Sequence, residues 1–164
     1  GDGPLRESLA QQALKVWIAD RVCFTGWRED VPALLSVMDA YVCSSASEGM
    51  SNAVLEAMAA GLAIVTTDVG DNAMMIQNHR DGLIVEPQSA TALAQALRTL
   101  VFAPDLRRRL GAAARARARI FNFEQVVRRY ERYYRMLIAS TAPGWYSLGR
   151  WVSASGLPQG GFHA

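Results

Sequence analysis

The sequence predicts an α/β protein with a Rossmann-like parallel sheet, followed by helices at the C-terminal end. Three observations predict this class. Short apolar runs alternate with helical patterns from residue 4 to residue 103, as in parallel sheets whose strands are connected by helices. The segment 62–66 is one continuous, mainly apolar run, which is typical of a strand covered on both faces. After Pro104 only helical patterns follow.

Four segments are predicted to be strands: 21–25, 40–44, 62–66 and 83–85. The first is expected to be buried, and the last is entered through the turn dipeptide Asp81-Gly82. Cys23 and Cys43 lie in the first two strands, and their spacing fits neither a metal pair nor a redox pair. Both are therefore expected to be buried free thiols, which is consistent with a reducing cytoplasm.

Helices are predicted between and after these strands. They cover residues 4–18, 31–38, 52–60, 73–77, 90–103, 106–120 and 123–138. Pro4 occupies a favoured first-turn position, and Ser89 is a candidate N-cap for the helix that follows it.

Two of these helices carry specific burial predictions. In the helix 31–38, the side chains of Leu34, Leu35 and Met38 are expected to face the core. In the last helix, packing into the core is preferred over a partner site for a stripe of apolar residues. This stripe consists of Phe123, Val126, Val127, Tyr130, Tyr134, Leu137 and Ile138.

Composition and charge limit the possible classes of protein. Half of the 164 residues are hydrophobic and a fifth are charged, as in an ordinary soluble domain. No apolar run reaches about 18 residues, so no transmembrane helix is expected. Residues 1–97 hold 5 Lys or Arg and 12 acidic residues, whereas residues 98–135 hold 11 Arg and 3 acidic residues. A solvated helix face is the preferred interpretation of this basic block, an anionic membrane surface is the alternative, and nucleic acid is not expected.

The segment from Glu48 to Glu56 carries the main functional signal. It places one carboxylate before the helix 52–60 and the other inside it. The first amides of a helix have no helical carbonyl partner, and together with the helix dipole they favour an anion such as phosphate. Carboxylates repel phosphate but accept hydrogen bonds from hydroxyl groups. Two acids that flank a phosphate site therefore suggest a nucleotide-sugar ligand, with the hexose at one end and the ribose at the other.

This segment resembles the Glu-x7-Glu motif of the retaining GT-B glycosyltransferases of family 4, the glycosyl transferases group 1. Five ordered signals agree with that family, and they cover roughly residues 1–138. Besides the motif and the Glu-Ala-Met-Ala-x-Gly run at 56–61, they are the Gly-x-Gly-Pro-Leu turn at 1–5, the segments 22–26 and 30–35, and the later loops 68–72 and 81–85.

The resemblance implies a role for each motif residue. Glu48 would bind hydroxyls of the donor hexose and is the candidate catalytic residue, with a helix-cap carboxylate as the alternative. Glu56 would bind the ribose hydroxyls; a solvent-facing carboxylate is the alternative, although an otherwise apolar helix favours a partner for its charge. The candidates for binding the donor sugar and diphosphate are Gly49, Met50, Ser51, Asn52 and Ala53. Many family members have Gly-Phe-Gly in this loop, so the variant here leaves the hexose open.

Further candidates follow from the same resemblance. Gly26, Trp27 and Arg28 occupy the positions where the family holds the nucleobase, and Trp27 would either stack on the base or serve as a structural loop residue. Weaker candidates are Asp30 as a helix cap, residues 44–47 in the sugar pocket, the polar loop with Asp68, Gly70 and Asn72, and the Gly1-Asp2-Gly3 turn as a phosphate loop. His79 is expected to be solvated, since a lone histidine supports no metal site.

Residues 1–140 are thus identified as the C-terminal, nucleotide-sugar-binding domain of a GT-B enzyme, and residues 141–164 as a loosely ordered tail. The implied reaction transfers a hexose to a hydroxyl acceptor with retention and without a metal or other cofactor, in glycan, lipopolysaccharide or exopolysaccharide biosynthesis. The enzyme would be cytoplasmic, at most peripheral to the inner face of the membrane. A missing first strand and N-terminal domain are expected, which would leave this piece inactive alone. The alternatives are a GT-B nucleotide-sugar epimerase and a non-catalytic nucleotide-binding or membrane-docking module.

Overall fold

The computed structural model describes residues 2–141. The chain divides into two units, of which the first ends at Phe121 and the second begins at Asn122. The first unit contains a sheet of three strands: β1 (Ala40–Cys43), β2 (Ala63–Thr67) and β3 (Leu83–Val85). The strands are parallel and lie in the order β1-β2-β3. The α/β class with a parallel sheet is therefore confirmed.

The helices agree closely with the sequence pattern in number and place. They are α1 (Arg6–Lys15), α2 (Val31–Ser36), α3 (Asn52–Ala60), α4 (Asn72–Met75), α5 (Ala90–Phe102), α6 (Pro104–Ala118) and α7 (Phe123–Thr141). Short 3₁₀ turns cover Ala19–Arg21 and Arg119–Phe121. The predicted cap of α5 is present, because the Ser89 hydroxyl accepts a hydrogen bond from the Ala92 amide at 3.2 Å.

The core of the first unit is built on both faces of β2, all of whose residues are buried. Ile64 belongs to a cluster with Val54 and Met58 of α3. Its neighbour Val65 points to the opposite face and belongs to a cluster with Leu100 of α5. Successive side chains of a strand alternate between faces, so a strand with helices on both sides favours a mainly apolar run. The unbroken apolar run predicted this burial correctly.

The helices α3 and α6 approach each other at two glycines. α3 ends at Gly61, which has a φ of 83°, a conformation that glycine adopts without strain. Gly111 of α6 faces this helix end, and a Cβ at position 111 would overlap the carbonyl oxygen of Gly61. The close contact between the two helices therefore depends on the missing side chain of Gly111.

The predicted strand at residues 21–25 does not form. Arg21 ends a 3₁₀ turn, residues 22–25 have no regular secondary structure, and Cys23 is exposed rather than buried. A strand is stabilised by the ladder of hydrogen bonds to its neighbour, and an apolar pattern alone cannot supply it. Cys43, by contrast, lies in β1 and is buried as expected.

Smaller differences concern the ends of two helices and one residue that was predicted to face the core. α1 is shorter than predicted, ending before Trp17, which has a φ of 60°. α2 also ends early, so that Leu35 is buried and Leu34 half-buried, whereas Met38 lies beyond the helix and is exposed. The inward position of Met38 was therefore wrong, because the helical period no longer applies at that residue.

The described part of the second unit is a single helix, α7. Its apolar stripe is not buried: Phe123 is 80% exposed and Tyr130 is 58% exposed. The sequence predicted core packing for this stripe, whereas all seven of its side chains are exposed. The tail predicted at 141–164 lies outside the described residues from position 142 onward. No helix in the range 2–141 is long and apolar enough to cross a membrane.

Candidate functional site

The candidate site lies where the parallel strands end. The loop 44–51 follows β1, and the loop 68–71 follows β2. Because parallel strands have their carboxyl ends at one edge of the sheet, both loops emerge at that edge. Glu48 lies in the first of these loops and Asp68 in the second. Trp27 follows the segment 21–25, which forms no strand.

Glu48 is held by residues of its own loop. Its side chain is half-buried, and its Oε1 atom accepts a hydrogen bond from the Ser45 hydroxyl at 2.7 Å. The Cys43 thiol lies 3.9 Å from the same oxygen. Hydroxyl donation to a carboxylate is a charge-assisted hydrogen bond, which fixes the orientation of the acid. Ser45 is one of the residues 44–47 that were expected to shape a sugar pocket.

The N-terminus of α3 carries no side-chain cap. Ser51 is the N-cap residue, and it is buried with φ −76° and ψ 107°. Asn52 is the first helical residue and is exposed, as is Ala53. No acidic residue lies in the first turn. The first amides and the positive end of this helix therefore remain accessible to an anion.

Glu56 lies in a different environment from Glu48. Its side chain is exposed, whereas Val54, Ala57 and Met58 form the buried face of α3. Because the rest of the helix is apolar, the charge of Glu56 was expected to need a partner. That expectation was wrong, since Glu56 lies on the solvent side of α3. Burial raises the pKa of the Tyr41 phenol, and nearby Cys43, Glu48 and Glu56 raise it further. Both motif acids thus lie close enough to act electrostatically on one β1 side chain.

The rest of the loop leaves space on its outer side. Gly49 is exposed, and a Cβ at this position would meet no atom within 4 Å. Met50 is 51% exposed. On the Cβ side of Gly49, no group of residues 2–141 fills the space, so a ligand can approach the backbone closely there.

The predicted nucleobase segment is hydrogen-bonded to Asp2 of the N-terminal glycine turn. The Trp27 amide donates a hydrogen bond to Asp2 Oδ2 at 3.0 Å, and Arg6 forms an ion pair with the same carboxylate. The Trp27 amide, followed by the Arg6 guanidinium, holds the pKa of Asp2 below its usual value. Gly26 turns the chain with a φ of 68°, and the Trp27 side chain is 74% exposed.

Arg28, the third residue of this segment, is engaged by its neighbour. Its Nε and NH2 atoms donate to the two carboxylate oxygens of Asp30 at 2.7 and 2.5 Å. This pairing raises the pKa of Arg28 and lowers that of Asp30. Asp30 occupies the N-cap position of α2, but its side chain makes no capping hydrogen bond. Its role as a side-chain cap was therefore wrong, because the carboxylate binds the guanidinium instead.

The end of β2 and the start of α4 contribute a buried polar cluster. Asn72 is fully buried and donates from Nδ2 to the Thr66 hydroxyl at 2.8 Å and to the Thr67 carbonyl at 3.0 Å. The Thr67 hydroxyl donates to the Ser45 carbonyl at 2.7 Å. Sequence analysis named Asn72 but missed Thr67. A hydroxyl residue at the carboxyl end of a buried apolar strand was the signal that could have found it.

Other chemistry is limited in the described part of the chain. His79 is exposed in a turn with a φ of 63°, in agreement with its predicted solvation. Among residues 2–141, no three His, Cys, Asp or Glu side chains are grouped so as to hold a metal ion.

Comparison with known proteins gives a consistent result. Residues 1–102 match the family described as glycosyl transferases group 1. The lipopolysaccharide core biosynthesis glycosyltransferase LpsD of Rhizobium meliloti is 36% identical over 112 residues, which are 68% of this chain and 33% of that protein.

Two solved structures support the same assignment. Sucrose-phosphate synthase from Thermosynechococcus elongatus superposes with a TM-score of 0.77 at 30% identity, covering 86% of this chain and 36% of that one. Anabaena HepE in complex with UDP superposes with a TM-score of 0.66 at 25% identity, covering 68% of this chain and 31% of HepE. The chain spans about a third of the length of the curated relatives it matches.

Proposed function

The chain belongs to the glycosyl transferases group 1 family, and on this basis we propose that it is the donor-binding, C-terminal domain of a retaining, family 4 GT-B glycosyltransferase. The observation that carries the proposal is the uncapped N-terminus of α3, with Glu48 before it and Glu56 about one turn inside it. The enzyme transfers a hexose from a nucleoside diphosphate sugar to a hydroxyl acceptor. It acts in polysaccharide or lipopolysaccharide biosynthesis, in the cytoplasm or at the inner face of the membrane.

In this proposal, the amides of Asn52 and Ala53 bind the diphosphate of the donor. Negative charge grows on the diphosphate as the bond to the hexose breaks, and fixed amides at a helix end stabilise that charge without reorganisation. This electrostatic stabilisation requires no metal ion. Met50 and Ser51 present backbone groups to the sugar, next to the space that Gly49 leaves open.

The two acids divide the recognition of the donor. Glu48, oriented by Ser45, accepts hydrogen bonds from hydroxyls of the hexose. Glu56, exposed on α3, accepts hydrogen bonds from the ribose. The segment Gly26–Arg28 holds the nucleobase, with the exposed Trp27 ring available for stacking. We further propose that the acceptor is bound by an N-terminal domain of the GT-B enzyme, so we expect little transfer by this chain alone.

The proposal is tested by titrating the ¹⁵N-labelled chain with UDP, GDP and ADP and with their hexose conjugates. We expect shifts at the amides of Asn52 and Ala53 with the preferred nucleotide, and tighter binding of its sugar conjugate. In the Glu48→Gln variant, binding of the free nucleoside diphosphate should be unchanged, whereas the gain from the sugar should be lost. Glu29→Gln, which alters an exposed acid outside the motif, is the control.

Two results would contradict the proposal. One is that no nucleotide shifts the amides at the start of α3. The other is that Glu48→Gln abolishes binding of the free nucleoside diphosphate while the fold remains intact. Assay of the full-length parent enzyme with the donor found in this way, with anomeric analysis of the product, tests transfer and retention. Epimerisation of the donor without transfer would reject the transferase assignment.

A further inference from the structure

The loop that carries Glu48 rests on the loop that follows β2. Gly70 has a φ of 53°, and a Cβ at this position would overlap the Glu48 carbonyl and lie 2.9 Å from the Gly49 carbonyl oxygen. The Asp71 amide donates a hydrogen bond to that Gly49 oxygen at 3.3 Å. The two loops thus meet backbone against backbone at the first residues of the Glu-x7-Glu motif, and no side chain fits between them.

A relay of hydrogen bonds joins the same two loops through side chains. Asn72 donates to the Thr67 carbonyl, the Thr67 hydroxyl donates to the Ser45 carbonyl, and the Ser45 hydroxyl donates to Glu48 Oε1. The three distances are 3.0, 2.7 and 2.7 Å. Each residue of the relay fixes the next, and the last acceptor is the candidate catalytic carboxylate.

Core packing does not account for Asn72. The side chain is fully buried, and its Oδ1 atom accepts no hydrogen bond from any residue in the range 2–141. A buried, unpaired acceptor costs stability, whereas a leucine of similar volume would avoid that cost. What Asn72 supplies, and leucine cannot, is the pair of hydrogen bonds from Nδ2 to Thr66 and Thr67.

We infer that Thr67 and Asn72 are positioning residues that hold Glu48 in the orientation needed to bind the donor sugar. This inference rests on the sugar-binding role proposed above for Glu48. Neither residue contacts the donor in this arrangement, since both are buried beneath the loop. Without the Thr67 hydroxyl, the Ser45 carbonyl loses a donor and the Ser45–Glu48 pair loses its anchor. Binding of the sugar then weakens, whereas the α3 amides that bind the diphosphate are unaffected.

The test uses this chain with Thr67→Val, which removes the hydroxyl at nearly constant shape, and Thr67→Ser, which restores a hydroxyl. Thr99→Val is the matched control, because the Thr99 hydroxyl donates to the Gln95 carbonyl within its own helix α5. Affinities for UDP and UDP-glucose are measured by titration. Thr67→Val should bind UDP-glucose at least fivefold more weakly and UDP within twofold of the wild type. Thr67→Ser and Thr99→Val should remain within twofold of the wild type for both ligands.

A second measurement does not depend on any ligand. Hydrogen exchange of the Asp71 amide, which donates to Gly49, should be at least tenfold faster in Thr67→Val and in Asn72→Leu than in the wild type. Exchange of amides in the middle of α5 should not change. If Asn72→Leu fails to fold, Thr67→Val still tests the relay.

Three outcomes would overturn the inference. The first is UDP-glucose affinity unchanged by Thr67→Val. The second is an equal loss for UDP and UDP-glucose, which would indicate general damage and not positioning. The third is unchanged exchange of the Asp71 amide. If the wild-type chain binds neither ligand, it is the proposed donor role that fails for UDP and UDP-glucose, and the exchange measurement alone decides whether the relay holds the loop.

Discussion

The two acids of the motif show how one sequence pattern produces two different environments. Glu48 is half-buried, with its Oε1 atom hydrogen-bonded to Ser45, so its orientation is set before any ligand arrives. Glu56 is exposed on α3 and points away from the packed face of that helix. A preorganised acid suits recognition of a particular sugar, whereas an exposed acid can adapt to the ribose that all nucleotides share.

Substitution of Glu56 tests this difference. Glu56→Ala should weaken binding of UDP, GDP and ADP alike, because the ribose hydroxyls are common to all three. Loss of a hydrogen bond to a charged group is worth about 1.5–3 kcal/mol, and calorimetric or NMR titration of each nucleotide would measure it. Glu7→Ala, which removes an exposed acid from α1, controls for the change in net charge. Unchanged affinity in a folded Glu56→Ala variant would remove Glu56 from the site.

At the scale of elements, the contact between α3 and α6 fixes the helix that carries the candidate site. In an exposed helix interior, Gly→Ala gains roughly 0.5–1 kcal/mol from helix propensity. At Gly111 the added Cβ would overlap the backbone carbonyl of Gly61, which cannot rotate away as a side chain can. Overpacking of this kind costs about 1–3 kcal/mol, so the steric cost exceeds the gain.

Gly111→Ala should therefore lower the free energy of unfolding, and the midpoint of urea denaturation measures this directly. Gly3→Ala is the control, because a Cβ at Gly3 would meet no atom within 4 Å. A midpoint for Gly111→Ala equal to or above that of the wild type would show that the two helices separate without cost.

The arginines of α6 and the turn after it divide into two groups that the sequence could not distinguish. Arg107 pairs with Asp39, and Arg117 pairs with the buried Asp81 while donating to the carbonyls of Met74 and Met75. These two arginines fix α6 to the rest of its unit. The exposed arginines are Arg108, Arg109, Arg115 and Arg119. Of these arginines, the exposed group is the one that could meet an anionic membrane surface, which the sequence analysis kept as the alternative to a solvated helix face.

We expect adsorption to vesicles that contain phosphatidylglycerol, and weaker adsorption at higher salt. Each well-placed arginine contributes about 1 kcal/mol near such a surface. Arg115→Gln with Arg119→Gln should therefore reduce binding in a flotation assay, whereas Arg21→Gln, an exposed change outside this helix, should not. Equal binding to neutral and anionic vesicles, or none to either, would indicate that these arginines form a solvated helix face and do not bind a membrane.

For the first unit as a whole, the sequence predicted the structure correctly where the local pattern and the packing require the same conformation. β2 was predicted because burial on both faces favours a mainly apolar run. α3 was predicted from its first residue to the glycine that ends it. Residues 21–25 show the limit, since their pattern fits a strand but a strand also needs a partner. Thr67 was missed for a related reason: its role depends on Ser45, 22 residues earlier, and no local pattern encodes that contact.

The sheet of the first unit also has two unlike edges. At β3, the Ile84 amide donates to Asn78 Oδ1, and Asn78 bridges to Gly82, so the chain itself covers part of that edge. At β1, no strand of the described residues lies on the outer side, and Val42 is 37% exposed. An uncovered strand edge is a template for pairing with another extended chain. Among the described strands, β1 is therefore the one whose outer edge another extended segment could pair with.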